Sequence, residues 1–210
     1  VITAASLRLF PKATTEGAAL MVVPDPAAAL SLLTLVQARC GGVSAFELIS
    51  GMGLQFLAET MPQVRQPFAQ VPEWMVLIDL GLTEGAPEAV LSDLFEAALA
   101  QGLVTGGVIA QSTAQRTQFW ALRETIPLAN RAVGAVSSHD ISLPLSEIAN
   151  FIRVADAALA ALGPWRINCF GHLGDGNLHY NVFPPKGEKP ARYQAKAHAV
   201  QDLVHSMVMD

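Results

Sequence analysis

The chain has 210 residues, 51% of them hydrophobic and 15% charged, and its formal net charge at pH 7 is -5. This size and composition predict a globular protein whose core suits one large domain or two small ones. The 13 lysines and arginines are scattered along an acidic chain, so we expect no nucleic-acid binding. No uninterrupted apolar run reaches the length of about 18 residues that a transmembrane helix needs.

Segments typical of strands and of helices alternate along the chain. The predicted strands cover residues 2–10, 19–23, 44–49, 74–80, 105–110, 137–143, 166–172 and 177–183. The predicted helices cover residues 26–40, 51–60, 87–101, 112–133, 144–162 and 190–209. Asp25 is the expected N-cap of the first helix. Ser112 is the expected N-cap of the fourth helix, whose apolar face carries Phe119, Leu122 and Ile126.

The strand "SSHDISL" alternates polar and apolar residues, which suits a sheet with one covered face. We therefore predict an α+β fold in which a mostly antiparallel sheet lies under helices.

Cys40 and Cys169 form no CxxC pattern and are expected as free thiols in a reducing, cytoplasmic compartment. The chain starts without Met and stops inside an apolar-periodic segment, so we expect both ends to be internal to a longer protein.

The segment "FGHLGDGNLHYNVF" predicts a β-hairpin with a turn at residues 174–177, where glycine, aspartate and asparagine favour tight turns. In the simplest register His172 lies opposite His179. Their side chains then share one face about 4.5–5.5 Å apart, and both imidazoles can bind one metal ion at about 2.0–2.1 Å. Asn181 points to the same face.

Other interpretations stay open on these residues alone. Two imidazoles do not complete a zinc site, since catalytic zinc uses three protein ligands, so an ordinary hairpin with partly buried histidines explains the pattern too. His198, Asp202 and His205 have helical spacing, and a solvent-exposed helix face explains them better than a metal site. A metal-dependent hydrolase would need Asp175 at the metal, whereas this turn directs it to solvent.

Several segments together resemble a known family: "GHLGDGNLHYNV", "FWALRETI", "HDISLPLSEI", "SAFELISGMGLQF" and the opening "VITAASLRLFPK". They are similar to the C-terminal substrate domain of FAD-linked oxidases of the vanillyl-alcohol-oxidase type. Within that type the resemblance is to the group of D-2-hydroxyglutarate and D-lactate dehydrogenases and the glycolate oxidase D-subunit. It covers nearly the whole chain and implies a ferredoxin-like α+β domain.

In the resembled family the two hairpin histidines bind a divalent metal, usually zinc, which implies this role for His172 and His179. Asn181 is implied as a nearby polar contact to the substrate. A carboxylate ligand and the catalytic base come from a later Glu-His-Gly segment, which is implied to lie beyond Asp210.

The arginine of "WALRE", here Arg123, is implied to bind a substrate carboxylate, for which a guanidinium is well shaped. The plain alternative is a surface arginine paired with Glu124. Two positions depart from the family pattern: Ser138 stands where a lysine is frequent, and Pro127 where some relatives have a hydroxyl residue. Both departures remove polar groups that would bind a second carboxylate at the distal end of the substrate, so recognition of that carboxylate is expected to differ from the family pattern.

The strand at 137–143 adds a further candidate. Its alternation sends His139 and Asp140 to opposite faces, so at most one of them lines the substrate cavity. We take His139 as the substrate-binding candidate and expect a structural hydrogen-bonding role for Asp140.

The resemblance implies that residues 1–18 are the last strand of a flavin-binding domain and a linker, and that residues 19–210 are a substrate domain, incomplete at its C-terminus. The parent enzyme would transfer a hydride from C2 of a D-2-hydroxy acid to FAD, which is bound mainly by the preceding domain. The implied substrates are D-lactate, glycolate and D-2-hydroxyglutarate. The resemblance is also compatible with a homodimeric enzyme. We expect the chain alone to be inactive. A non-redox metal- or ligand-binding module is the alternative.

Overall fold

The structure, a computed structural model, describes residues 2–9 and 11–209. The strands in these residues are β1 (Thr15–Val23), β2 (Val43–Ser50), β3 (Trp74–Leu82), β4 (Gly106–Ile109), β5 (Ser137–Ser142), β6 (Arg166–His172) and β7 (Asn177–Phe183). They form one sheet in the order β4-β1-β3-β2-β6-β7-β5, and every neighbouring pair is antiparallel. The α-helices are α1 (Pro26–Arg39), α2 (Gly51–Thr60), α3 (Pro87–Ala100), α4 (Thr113–Val133), α5 (Leu145–Leu162) and α6 (Gln194–Met209). The predicted α+β fold with an antiparallel sheet is confirmed.

Helices cover both faces of this sheet. Apolar residues of α1, α3, α5 and α6 pack against one face, and those of α2 and α4 pack against the other, which we call the α2/α4 face. The expectation of a single covered face was therefore wrong. It was read from β5, which does alternate, whereas all seven residues from Trp74 to Leu80 of β3 are buried. A central strand that is buried on both sides shows no alternation.

Helices α1 and α4 begin directly after the predicted N-cap residues. The Asp25 carboxylate accepts a hydrogen bond from the backbone N–H of Ala28 at 2.7 Å, and the Ser112 hydroxyl accepts one from Gln115 at 3.3 Å. The predicted apolar face of α4, at Phe119, Leu122 and Ile126, is buried against the sheet. Periodicity and caps thus predicted how α4 lies on the sheet.

A buried carboxylate fixes the first half of α4. Asp79 of β3 is 1% exposed, and it accepts hydrogen bonds from Arg116 at 2.8 and 3.0 Å, from Trp120 Nε1 at 2.7 Å and from the Ser44 hydroxyl at 2.6 Å. Such a charge is tolerated in a core only when it is paired and hydrogen-bonded. Since Arg116 and Trp120 are both on α4, these bonds set the position of the helix over the sheet.

The first residues differ from their prediction. Residues 2–9 form no regular secondary structure, so a strand over 2–10 is absent there, and Phe10 lies outside the described residues. The first sheet strand begins at Thr15, which places residues 15–18, expected to be linker, in the sheet. The assignment of residues 1–18 to a preceding domain stays a prediction. Within residues 2–9 and 11–209, no helix is long and apolar enough to cross a membrane.

Candidate functional site

Three adjacent strands place charged and aromatic side chains together on the α2/α4 face. Glu47 of β2 lies opposite His172 of β6, and Phe170, also of β6, lies opposite His179 of β7. The imidazole centroids of His172 and His179 are 6.1 Å apart. The predicted sharing of one face by the two histidines is confirmed.

The prediction that His172 and His179 lie directly opposite each other was wrong. The residue opposite His179 is Phe170, so His172 is diagonal to His179, two positions further along its strand. The reason is the turn: Leu173 is buried in a 3₁₀ turn over Leu173–Asp175 and does not pair with Leu178. A register shift of two leaves every side chain on its original face.

Glu47 bridges two of the candidate residues. One carboxylate oxygen is 2.6 Å from His172 Nδ1. The other accepts a hydrogen bond from Arg123 Nε at 2.9 Å and lies 2.8 Å from Arg123 Nη2 in an ion pair. Because a carboxylate only accepts, the proton of neutral His172 lies on Nδ1, and the lone pair of Nε2 is free. The Glu47 side chain is 4% exposed, while that of His172 is 51% exposed.

Sequence reasoning missed Glu47. The available signal was a carboxylate among apolar residues in the strand "AFELI", since an acidic group in a buried strand needs a charged partner. That signal marks Glu47 as paired but does not name its partners.

Arg123 lies on the expected face in a buried position. Its guanidinium stacks over the Phe170 ring at 4.8 Å and is held by Glu47. The alternative of a surface arginine paired with Glu124 does not match this geometry, because Arg123 is 7% exposed. Its Nη1 group has no hydrogen-bond partner among the described residues and faces no competing carboxylate there.

His179 is half-buried beside Asp140, with Nδ1 3.7 Å from the carboxylate. Burial is the main cause that lowers the pKa of His179, and Asp140 opposes it in part. The imidazole is therefore biased toward its neutral form, in which a nitrogen lone pair can bind a metal or accept a proton. Asp140, which we expected to be structural, lies on the α2/α4 face and also accepts a hydrogen bond from Asn177 at 2.7 Å.

A cavity of about 490 Å³ opens next to His179. Its lining includes Phe170 and five groups that can donate hydrogen bonds: His179, Asn181, Asn130, Arg131 and Ser138. No aspartate or glutamate among residues 2–9 and 11–209 lines it. Asn181 was predicted at this place, and the two positions that depart from the family pattern, Pro127 and Ser138, both line the cavity. A cavity rich in donors and without carboxylates suits an anionic ligand.

The structure does not bring His139 to this cavity. His139 lies opposite Tyr180 in the sheet, on the face that α6 covers, and its ring contacts His205 at a centroid distance of 5.2 Å. The alternation of β5 sends Asp140 to the site and His139 away from it. The interpretation of His139 as a substrate contact therefore has no geometrical support.

Two histidines are compatible with one metal ion, but the described residues supply no third ligand. A centroid separation of 6.1 Å is within reach of two imidazoles that share an ion at about 2.0–2.1 Å from each nitrogen. Across residues 2–9 and 11–209, no group of three histidine, cysteine, aspartate or glutamate side chains could hold a metal. Asp175 is exposed to solvent, as expected, and accepts a hydrogen bond from the backbone of Asn177 at 3.3 Å within its own turn.

The fold and site together describe an α+β domain in which a donor-lined cavity opens at His179, while His172 and Arg123 lie on the same face without lining that cavity. A family model described as FAD linked oxidases, C-terminal domain, matches residues 12–208. The chain belongs to this family.

Curated relatives are named D-2-hydroxyglutarate dehydrogenase. The mitochondrial protein of Arabidopsis thaliana is 33% identical over 187 residues, which cover 87% of this chain and 33% of the relative. The protein of Xanthomonas citri is 30% identical over 205 residues, which cover 97% of this chain and 43% of the relative. The chain thus spans less than half the length of these relatives.

Solved structures agree on the fold. An alkyldihydroxyacetonephosphate synthase and a p-cresol methylhydroxylase each align with 94% of the chain at a TM-score of 0.57. They are each 11% identical to this chain, and the alignments cover 41% and 43% of their own lengths. At this identity the likeness concerns the fold alone.

Proposed function

We propose that this chain is the substrate-binding domain of an FAD-dependent dehydrogenase that oxidises a D-2-hydroxy acid. The observation that carries the proposal is the cavity beside His179, which offers donors from five side chains and, in the described part of the chain, no carboxylate. A 2-hydroxy acid is an anion at neutral pH, and it needs donors for its carboxylate and a polar group near its hydroxyl.

Each residue has a specific part in this proposal. His172 and His179 present imidazole nitrogens to the hydroxyl end of the substrate. Glu47 keeps the His172 proton on Nδ1 and holds Arg123 in place through its second oxygen. Arg123 binds the substrate carboxylate through Nη1, and Asn181 adds an amide at the cavity wall.

Two cofactors belong to the proposal. FAD, bound by a domain outside this chain, would accept the hydride from C2 of the substrate, and the hydroxyl proton would go to a base outside the described residues. A divalent metal, which we propose to be zinc, would be held by His172, His179 and a carboxylate outside the described residues, and would lower the pKa of the substrate hydroxyl. The hydrogen bond from His172 Nδ1 to Glu47 supports this role, because metal-binding histidines usually donate their second ring proton to a carboxylate or carbonyl.

Among possible substrates we favour D-2-hydroxyglutarate over D-lactate and glycolate, since relatives at 30–33% identity carry that name. The non-redox module remains the competing proposal, because paired histidines and a donor-lined cavity would also bind an acid without oxidising it.

Steady-state kinetics on the full-length flavoprotein test the proposal. The D- and L-forms of 2-hydroxyglutarate and lactate, together with glycolate, are offered with an artificial electron-accepting dye. We expect dye reduction with a D-2-hydroxy acid and a much lower kcat/KM for its L-form. A protein that retains FAD and binds these acids, yet reduces no dye with any of them, would be the non-redox module.

The metal is tested separately by elemental analysis. We expect stoichiometric zinc in the wild-type protein and its loss in His172→Gln and His179→Gln. The control is His198→Gln, which removes an exposed histidine of α6. Retention of zinc in the first two variants would show that these histidines are not its ligands.

A further inference from the structure

The cavity is lined by an arginine to which the proposed function gives no specific part. Arg131 lies in the last turn of α4 and lines the cavity that also contains His179. Arg131 lies eight positions after Arg123 on the helix, a rise of about 12 Å along the axis. The two guanidinium groups therefore serve different ends of the site.

Arg131 is available for a ligand. Arg116, Arg123, Arg166 and Arg192 each form an ion pair with a carboxylate of the chain. Arg131 is exposed and has no hydrogen bond or ion pair within the described part of the chain. A cation at a helix C-terminus is favourable in itself, so this position alone assigns no role. The groups around it are the further evidence.

Asn130, which also lines the cavity, is held in a fixed orientation. Its side-chain oxygen accepts a hydrogen bond from Asn168 Nδ2 at 2.8 Å, and the oxygen of Asn168, which is fully buried, accepts one from the Ser50 hydroxyl at 2.9 Å. This chain of bonds commits the Asn130 oxygen and leaves its NH₂ group as a donor without a partner among the described residues. Ser138 adds a hydroxyl to the same lining.

Apolar groups also line the cavity. Pro127 lies on α4 midway between Arg123 and Arg131 and has no backbone N–H to donate, and Phe170 lines the same cavity. The lining thus combines an imidazole at His179, the Phe170 ring packed beside it, the apolar Pro127 further along α4, and a guanidinium at Arg131. It matches a molecule with a hydroxy acid at one end, methylene groups in the middle and a second carboxylate.

We infer that Arg131, with the Asn130 amide and the Ser138 hydroxyl, binds the distal carboxylate of a 2-hydroxy dicarboxylic acid and makes this domain selective for diacids. The inference rests on the proposed function, because it takes the hydroxy acid end to lie at His179. It assigns a residue that determines specificity, and the chemistry at C2 is unchanged.

Two variants and a control test this role in the full-length flavoprotein. Arg131→Gln should lower kcat/KM for D-2-hydroxyglutarate roughly 10- to 100-fold, mainly through KM, because one charged hydrogen bond is lost. It should change kcat/KM for D-lactate little, and Arg131→Lys should restore part of the loss. The control, Arg153→Gln, removes an exposed arginine of α5 and should match the wild type for both acids. Equal losses for both acids, or no change in their ratio, would overturn the inference.

A binding measurement separates this inference from the proposed function. Calorimetric titration of the oxidised protein compares glutarate with butyrate, which has no second carboxylate. We expect the wild type to prefer glutarate and Arg131→Gln to lose the preference. If the preference and its loss are seen in a protein that oxidises no 2-hydroxy acid, the proposed function fails and the role of Arg131 in binding stands. If Arg131→Gln leaves the preference unchanged, or the wild type has none, the role of Arg131 is wrong whatever the activity.

Discussion

Glu47 and Arg123 form a buried ion pair in which a single carboxylate oxygen accepts a hydrogen bond from Nε and lies 2.8 Å from Nη2 of the guanidinium. The second oxygen of Glu47 remains for His172. One acidic side chain of β2 therefore determines the orientation of an arginine of α4 and of a histidine of β6. Its loss should affect both the stability of the domain and the state of the histidine.

Replacing Glu47 should separate these two effects. Glu47→Ala leaves the Arg123 charge buried without a partner and should lower the free energy of unfolding by about 3–5 kcal/mol. Glu47→Gln keeps an acceptor for Arg123 and should cost less, but its amide can donate to His172 Nδ1 and place the ring proton on Nε2. We expect Glu47→Gln to reduce metal affinity or activity by about 10- to 100-fold.

Urea denaturation and metal titration measure the two effects. The matched control is Glu188→Gln, since Glu188 is only partly buried and its partner Arg192 is exposed, and such pairs contribute at most about 1 kcal/mol. Wild-type metal affinity and activity in Glu47→Gln would show that Glu47 only stabilises the fold.

Local sequence predicted the capped helices, the antiparallel sheet and the shared face of the histidines, because caps, periodicity and alternation depend on near neighbours. Glu47 could not be assigned, since its partners are 76 and 125 residues away. The hairpin register was missed because composition does not decide whether Leu173 pairs in a strand or enters a 3₁₀ turn. The face of His139 depended on which side of the sheet α4 covers, which no residue of β5 encodes.

The stability of the domain should depend on pH through His139. Burial, and next the nearby His205, lower the pKa of His139 to about 4. Its folded-state pKa is below the unfolded value of about 6.5, so the unfolded chain binds the proton more tightly. Stability should be highest above pH 6.5 and fall by up to about 3 kcal/mol as the pH approaches 4.

Urea denaturation between pH 7.5 and pH 4.5 measures this fall. His139→Gln should flatten the pH dependence, whereas His198→Gln, which changes an exposed histidine of α6, should leave it as in the wild type. An identical slope in the wild type and His139→Gln would assign the acid sensitivity to another group.

The hairpin turn should require a glycine at position 176. Gly176 has φ +78, and an added Cβ would overlap the carbonyl oxygen of Leu143. Gly187 has a similar φ of +82 but open space around it. Gly187→Ala should therefore cost only the strain of the left-handed conformation, about 1–2 kcal/mol, and Gly176→Ala should cost at least about 1 kcal/mol more because of the overlap.

Thermal or urea unfolding of both alanine variants tests this difference. Since the backbone N–H of Leu143 donates to the Gly176 carbonyl at 3.0 Å, Gly176→Ala should also displace the hairpin from the end of β5. Equal losses of stability in the two variants would show that the backbone around Gly176 moves to accommodate the added Cβ without loss of free energy, and would contradict the prediction.

The most direct test of the account is anaerobic reduction of the flavin in a single turnover. Mixed with D-2-hydroxyglutarate, the full-length wild-type protein should lose its oxidised flavin absorbance rapidly, and His198→Gln should behave in the same way. Both His172→Gln and His179→Gln should reduce the flavin at least about 100-fold more slowly, because the hydroxyl end of the substrate loses the groups that bind it and activate its proton. Flavin reduction at the wild-type rate in both hairpin variants, or no reduction by any 2-hydroxy acid in the wild type, would contradict the account.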